Sequence, residues 1–194
     1  MKNTYYYIVT LVVLLFMVAP AKAVSEAEFG KLHKTYILHT DGSQEMRVQK
    51  AMNRLYGESF IVYNPEFQEL KIHESYTRQK DGNIVKTPEN AFVEVLPSAA
   101  ADAPAYNGLK EMVVVHTGLE LGATIYLDYS VITRPGYLPE LDVCEQIEEL
   151  SPIREYVLSV SVPENKPLHY ELLNGNSGWC KDCDLGVEEC ATSS

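Results

Sequence analysis

The sequence predicts an all-β protein: an antiparallel β-sandwich with hairpin connections and at most one or two short helical turns. Three observations carry that expectation. Apolar residues recur at every second position in run after run, turn dipeptides arrive at short intervals between the runs, and thirteen tyrosines against five phenylalanines suit amphipathic sheet faces. Runs that follow one another without long helical patterns between them favour stacked sheets over an α/β arrangement.

The first element is an export signal over residues 1–23. Lys2 supplies a thin positive region, Tyr5 to Ala19 is almost wholly apolar, Pro20 interrupts it, and Ala21-Lys22-Ala23 fits the small-x-small rule for signal peptidase. The apolar run of about 15 residues is short of the roughly 20 that a membrane-spanning helix needs. The expected product is therefore cleaved after Ala23, periplasmic or extracellular, with no stable membrane insertion afterwards. Residues 24–33 read as a lead-in.

From 34 to 173 the chain reads as strands. Candidates in order are Thr35 to His39, Met46 to Leu55, Ser59 to Tyr63, Glu69 to Gln79, Ile84 to Thr87, Met112 to Val115, Ile125 to Val131 and Tyr156 to Val162. Ile125, Leu127, Tyr129 and Val131 share one face, leaving Tyr126, Asp128 and Ser130 on a wet face. Tyr156, Leu158, Val160 and Val162 repeat the pattern, whereas Met112 to Val115 is unbroken and reads as buried on both faces. Asp81-Gly82 and Asp41-Gly42 supply the positive φ of tight hairpins, and Asn64-Pro65 and Pro135-Gly136 mark reversals, the second as a type II turn. Ser98 to Tyr106, flanked by Pro97 and holding Pro104, reads as a surface loop with one helical turn. Pro139 to Leu150 spaces Leu141, Cys144, Ile147 and Leu150 by threes, which fits either a short helix or an irregular edge strand.

A domain of about 140 residues buries roughly two-thirds of its unfolded surface, enough for a core without staples. On this reading Leu127→Asp and Val160→Asp prevent soluble folding, and Ser161→Asp is mild.

Charge narrows the functional classes. Lys and Arg total 16 against 27 Asp and Glu, a formal charge of −11; the first 23 residues hold two lysines and no acid, leaving 14 against 27, or −13. So acidic a surface repels phosphate backbones and anionic lipid, which excludes nucleic acid as a partner. A hydrophobic content of 46% is too high for a disordered chain.

The order and spacing of three blocks resemble a known family. The first runs from Tyr63-Asn64-Pro65 through Gln68, Leu70-Lys71-Ile72, Asp81-Gly82, Val85, Thr87-Pro88 and Asn90-Ala91 to Val95-Leu96-Pro97. The second runs from Ala103-Pro104-Ala105-Tyr106 through Glu111-Met112-Val113-Val114 and His116-Thr117-Gly118-Leu119-Glu120 to Gly122-Ala123. The third joins Pro152-Ile153, Val160-Ser161-Val162-Pro163 and Leu168-His169-Tyr170. Together they are similar to the domain of unknown function 3857 family of exported, Bacteroides-type proteins, over about Lys34 to Leu173. The resemblance implies an N-terminal β-sandwich usually followed by a papain-like transglutaminase-type domain, and it implies no catalytic residues. It also implies a longer chain, so that 194 residues read as a copy truncated before that domain, or as a stand-alone variant.

Composition shifts at Asn174, where residues 174–194 read as an irregular tail holding Cys180, Cys183 and Cys190. Gly178-Trp179-Cys180 faintly echoes a transglutaminase nucleophile segment, but a thiolate needs a base and an orienting group, and only 14 residues follow. Cys180-x-x-Cys183 is half a zinc site without a histidine in the tail. With Cys144, the four cysteines are disulfide candidates in an exported protein, and three pairings are open.

His33, His39, His73, His116 and His169 are scattered beside predicted strands, and half-buried strand histidines bonded to neighbours are the ordinary case. His116, ending the Met112–Val115 strand near Glu120, is the best candidate for acid–base work. Asp142, Glu145, Glu148 and Glu149 lack the alternating ligand loop of a calcium site. No nucleophile elbow, P-loop or dinucleotide fingerprint occurs. The expectation is an exported, non-catalytic accessory domain without cofactor, partnered by a transglutaminase-like domain or another exported protein. The alternative is a carbohydrate- or peptide-binding module using exposed tyrosines such as Tyr126 and Tyr137; a small hydrolase built on His116 is a further rival.

Overall fold

The structure is a computed structural model of the chain and describes residues 28–53, 57–100, 108–145 and 151–169. Among these, nine strands follow in order: β1 (Glu28–Leu38), β2 (Gln44–Asn53), β3 (Glu58–Tyr63), β4 (Gln68–Arg78), β5 (Ile84–Lys86), β6 (Phe92–Val95), β7 (Lys110–Val115), β8 (Thr124–Thr133) and β9 (Tyr156–Ser161). Single 3₁₀ turns at Glu89–Ala91 and Ser98–Ala100 are the described helical elements. The signal segment and the Cys180, Cys183 and Cys190 tail lie outside the described residues, as do Gln146 to Leu150.

The strands form two sheets, one of six in the order β5-β4-β8-β2-β1-β9 and one of three in the order β3-β7-β6. Neighbours are antiparallel except β1 and β9, which run parallel from Leu32 opposite Tyr156 to Ile37 opposite Ser161. The all-β expectation holds, with that one parallel join added. True hairpins connect β1 to β2 and β4 to β5, whereas the β2–β3, β3–β4, β5–β6 and β7–β8 links change sheets.

The two hairpins share one device. In each, the residue before the turn accepts from the glycine and donates across it: Gly42 N–H to His39 O at 3.0 Å with His39 N–H to Ser43 O at 2.9 Å, and Gly82 N–H to Gln79 O at 3.0 Å with Gln79 N–H to Asn83 O at 2.8 Å. These are three-residue loops that end in a positive-φ glycine, +85° at Gly42 and +89° at Gly82. The aspartate instead accepts from the backbone N–H two residues on, from Ser43 and from Asn83, each at 2.9 Å. Pro135-Gly136 makes the expected reversal, with Gly136 at +77° and Tyr137 N–H reaching Arg134 O.

The core lies between the sheets. Leu32, Val48, Leu127, Tyr129 and Val131 from the six-stranded sheet meet Ile61, Tyr63 and Val114 from the three-stranded one. Each such aliphatic side chain contributes about 1.5–3 kcal/mol on burial. The three-stranded sheet is half as wide as its partner, and part of the uncovered inner surface is crossed by the β8–β9 connection. Gln44 Nε2 donates to Glu140 O at 3.0 Å, and the Glu145 carboxylate takes hydrogen bonds from Lys34 Nζ, at 2.7 Å, and from the Tyr36 hydroxyl. The described part of the acid-rich segment, Pro139 to Glu145, is neither helix nor strand.

Expectations for four strands change. β1 starts at Glu28, inside the stretch read as a lead-in, because its register with β2 reaches back to Asn53. β6 was not foreseen, because four residues between Pro88 and Pro97 give too short a run to show alternation. β7 is not buried on both faces: Val114 is fully buried, but Val113 and Val115 point outward and are partly exposed. β9 carries no fully buried residue, because it is an edge strand with Val157 and Leu158 exposed and Val160 half-buried. Val160→Asp is therefore expected to give a folded protein destabilised by about 1–2 kcal/mol, and Ser161→Asp one within about 0.5 kcal/mol of the parent, read by urea denaturation. Loss of all folded Val160→Asp protein would mean that the edge strand is buried after all.

Candidate functional site

His116 follows β7 and is 3% exposed, wedged between the sheets. Its backbone N–H donates to Gly57 O at 2.6 Å. Its Nε2 lies 3.2 Å from Ser59 Oγ on β3, and its Nδ1 lies 3.4 Å from Ser75 Oγ on β4 and 3.5 Å from Thr87 Oγ1. Ser75 and Thr87 are themselves joined at 2.7 Å. Burial, with the positive charge of Lys50 adding to it, pushes the imidazole down to about 4, so it is neutral at ordinary pH.

A Ser–His contact invites comparison with a nucleophile and its base, yet the parts for catalysis are not together. The second nitrogen faces hydroxyls rather than an orienting carboxylate, and both Ser59 and His116 are shut from solvent. Glu120, expected beside His116, is exposed and accepts from the backbone N–H of Lys80 at 2.7 Å instead. The Gly118–Gly122 turn between them, with φ of +73° and +89° at its glycines, carries Glu120 away. What the cluster does is join the sheets: two of its members come from the three-stranded side and two from the six-stranded side.

A second cluster, on the outer face of the six-stranded sheet, was not anticipated. The β4–β8 register slips between Ile72 and Glu74, and this bulge places His73 beside Ser130, Nε2 to Oγ at 2.7 Å. Ser130 is fully buried and donates to Glu45 Oε1 at 2.6 Å, so the shared Ser–His hydrogen is the imidazole's. Proton flow from serine to histidine, as a general base requires, is thus blocked by the carboxylate on the wrong partner. His39 also reaches Glu45, at 3.2 Å. Burial raises the Glu45 carboxyl, but the bonds from Ser130 and His39 outweigh it and hold the group below the usual carboxylate range. Beside it Arg47 clamps Asp128 through Nε–Oδ1 at 3.0 Å and Nη2–Oδ2 at 2.7 Å, while Gln49 adds a bond at 2.9 Å. Burial pushes Asp128 up as well, and these donors again win, lowering it.

The family model for a domain of unknown function with solved structure (DUF3857) matches residues 40–178. The chain belongs to the DUF3857 family. No protein of curated function matches it. Among solved structures, it is similar to one described as the crystal structure of a "putative protease" from Parabacteroides distasonis, at 67% identity and a TM-score of 0.70 over 75% of this chain. The match spans 30% of the Parabacteroides chain, well under two-thirds of its length.

The remaining singled-out residues of this DUF3857 domain are dispersed. Tyr126 stacks on Tyr76 with centroids 4.7 Å apart, and the Arg78 guanidinium lies 4.8 Å from its centroid and bonds its hydroxyl. Tyr137 stacks on Phe67 at 3.6 Å. Both rings proposed for sugar stacking are thus engaged within the chain. His33 pairs with Glu155, and His169 and Cys144 are exposed. Of the acids weighed for calcium, Glu145 is tied to Lys34 and Tyr36, and Glu148 and Glu149 lie outside the described residues. Among the described residues no three His, Cys, Asp or Glu side chains are grouped to hold a metal ion, and no helix is long and apolar enough to cross a membrane. The cysteine pairing involves residues outside those described. Only the pleat of β8 hinted at the outer cluster, since it sets Asp128 and Ser130 on one face; the β2 register and the His73 bulge have no mark in the sequence.

Proposed function

We propose that this chain is an exported, non-catalytic accessory domain that positions or shields a transglutaminase-like peptidase domain, or binds that domain's substrate. The observation that carries the reading is the 67% identity to less than a third of a much larger chain described as a "putative protease". In that arrangement this domain is one part of a larger molecule. Two features of the domain itself support it. The imidazole–hydroxyl contacts are structural in placement: His116 joins the two sheets and is closed to solvent, and His73 joins neighbouring strands of one sheet, with its serine proton given to Glu45. The acidic surface and the apolar leader support export and disfavour nucleic-acid or anionic-lipid partners.

The test uses the Parabacteroides protein with its matched portion replaced by this chain, against the same protein with that portion deleted. The chimera is expected to keep its peptidase activity and the deletion to lose most of it, while this chain alone cleaves no peptide. Peptide cleavage by the chain alone that disappears in His116→Ala or Ser59→Ala would make it a hydrolase and end the proposal.

A further inference from the structure

The two outer faces of the sandwich differ in kind. That of the six-stranded sheet is covered by the hydrogen-bonded groups around Glu45, Arg47 and Asp128. On the three-stranded sheet, register sets Phe60, Val113 and Val93 in one row across all three strands, with Val62 and Val95 flanking Glu111 in the next. Phe60 is 54% exposed, Val62 49% and Val93 45%. Single exposed aliphatics are ordinary, but a whole sheet face of them marks a docking surface. Among the described residues the charges on this face are Glu58 and Glu111, both acidic.

We propose that this face docks against the remainder of the larger polypeptide, the part of the Parabacteroides architecture outside the matched portion, through an apolar surface rimmed by basic side chains. The inference rests on the accessory-domain reading and names its contact face. Two observations select this occupant. The matched region makes up 30% of the Parabacteroides chain, so the larger molecule offers this domain a permanent neighbour more than twice its size. Charge disfavours the other obvious occupant, a second copy. Pairing the face with itself brings Glu58 and Glu111 against like charges, between chains of net charge −11, whereas a basic rim turns both into favourable rim pairs.

Hydroxyl-radical footprinting of Phe60 tests it, in this chain alone and in the chimera described above. Phe60 is expected to be readily oxidised in the chain alone and protected several-fold in the chimera. Glu58→Lys with Glu111→Lys is expected to lower the chimera's melting temperature while leaving the chain alone within about 2 °C of its parent. Equal oxidation of Phe60 in both molecules overturns the proposal. So does protection in the chain alone, whether sedimentation shows a dimer, meaning a second copy is the occupant, or a monomer. Peptidase activity reads the accessory role separately: protection of Phe60 in a chimera whose activity never depended on the domain keeps the contact face and retires that role.

Discussion

Leu127→Asp is expected to yield no soluble folded protein. Leu127 is 1% exposed at the centre of β8, the strand flanked by β2 and β4, and it sits in the cluster that joins both sheets. The substitution removes roughly 1.5–3 kcal/mol of burial and puts a carboxyl into the apolar cluster between the sheets, adding several kcal/mol more. A domain of this size has about 5–15 kcal/mol in total, so the losses approach or exceed the whole. Expression followed by solubility and far-ultraviolet circular dichroism checks it, with Leu127→Ala, expected to lose about 2–5 kcal/mol yet fold, as the graded control. A soluble Leu127→Asp protein with parental thermal unfolding would mean that the inner and outer faces of β8 are reversed.

Acidification from pH 6.5 to 4 is expected to cost up to about 3 kcal/mol of stability through His116 alone. Its folded value, about 4, lies below the ordinary 6.5, so the unfolded chain binds the extra proton in that window. Stability is therefore complete above pH 6.5, falls as the pH drops towards 4 and levels off below it. Glu45, Asp128, Asp41 and Glu94 are depressed carboxyls and act lower down: each contributes stability above its ordinary value and loses it only as the pH falls through the lowered one. His116→Gln keeps a hydrogen-bonding side chain without the titration. Urea midpoints measured between pH 4.5 and 7 should slope less steeply in the variant than in the parent. Parallel slopes would place the proton uptake elsewhere.

The strand pattern was legible because alternation and turn chemistry are local. Ile125, Leu127, Tyr129 and Val131 face the core as their spacing implied, and Pro135-Gly136 turns the chain where its φ preferences require. Which strand lies beside which is a matter of long-range pairing. For that reason Ser130, read as solvated, turned out fully buried under His73 and Glu45, contributed by β4 and β2. His116 was legible as a residue next to an apolar strand, but its partners Ser59, Ser75 and Thr87 come from three other segments and carry no mark of their meeting. The direction of β9 was equally hidden, since alternate side chains look the same whichever way a strand runs.

The parallel join of β1 to β9 has a consequence for how the molecule is made. The first strand to leave the ribosome finds its antiparallel neighbour within a few residues, but its other edge stays open until Tyr156 to Ser161 arrive, and the Glu28–Arg154 pair that fastens the corner spans 126 positions. Such late closure slows assembly and leaves a bare ribbon edge on the nascent chain. A chaperone that masks extended segments would thus matter most for β1, long before β9 is synthesised.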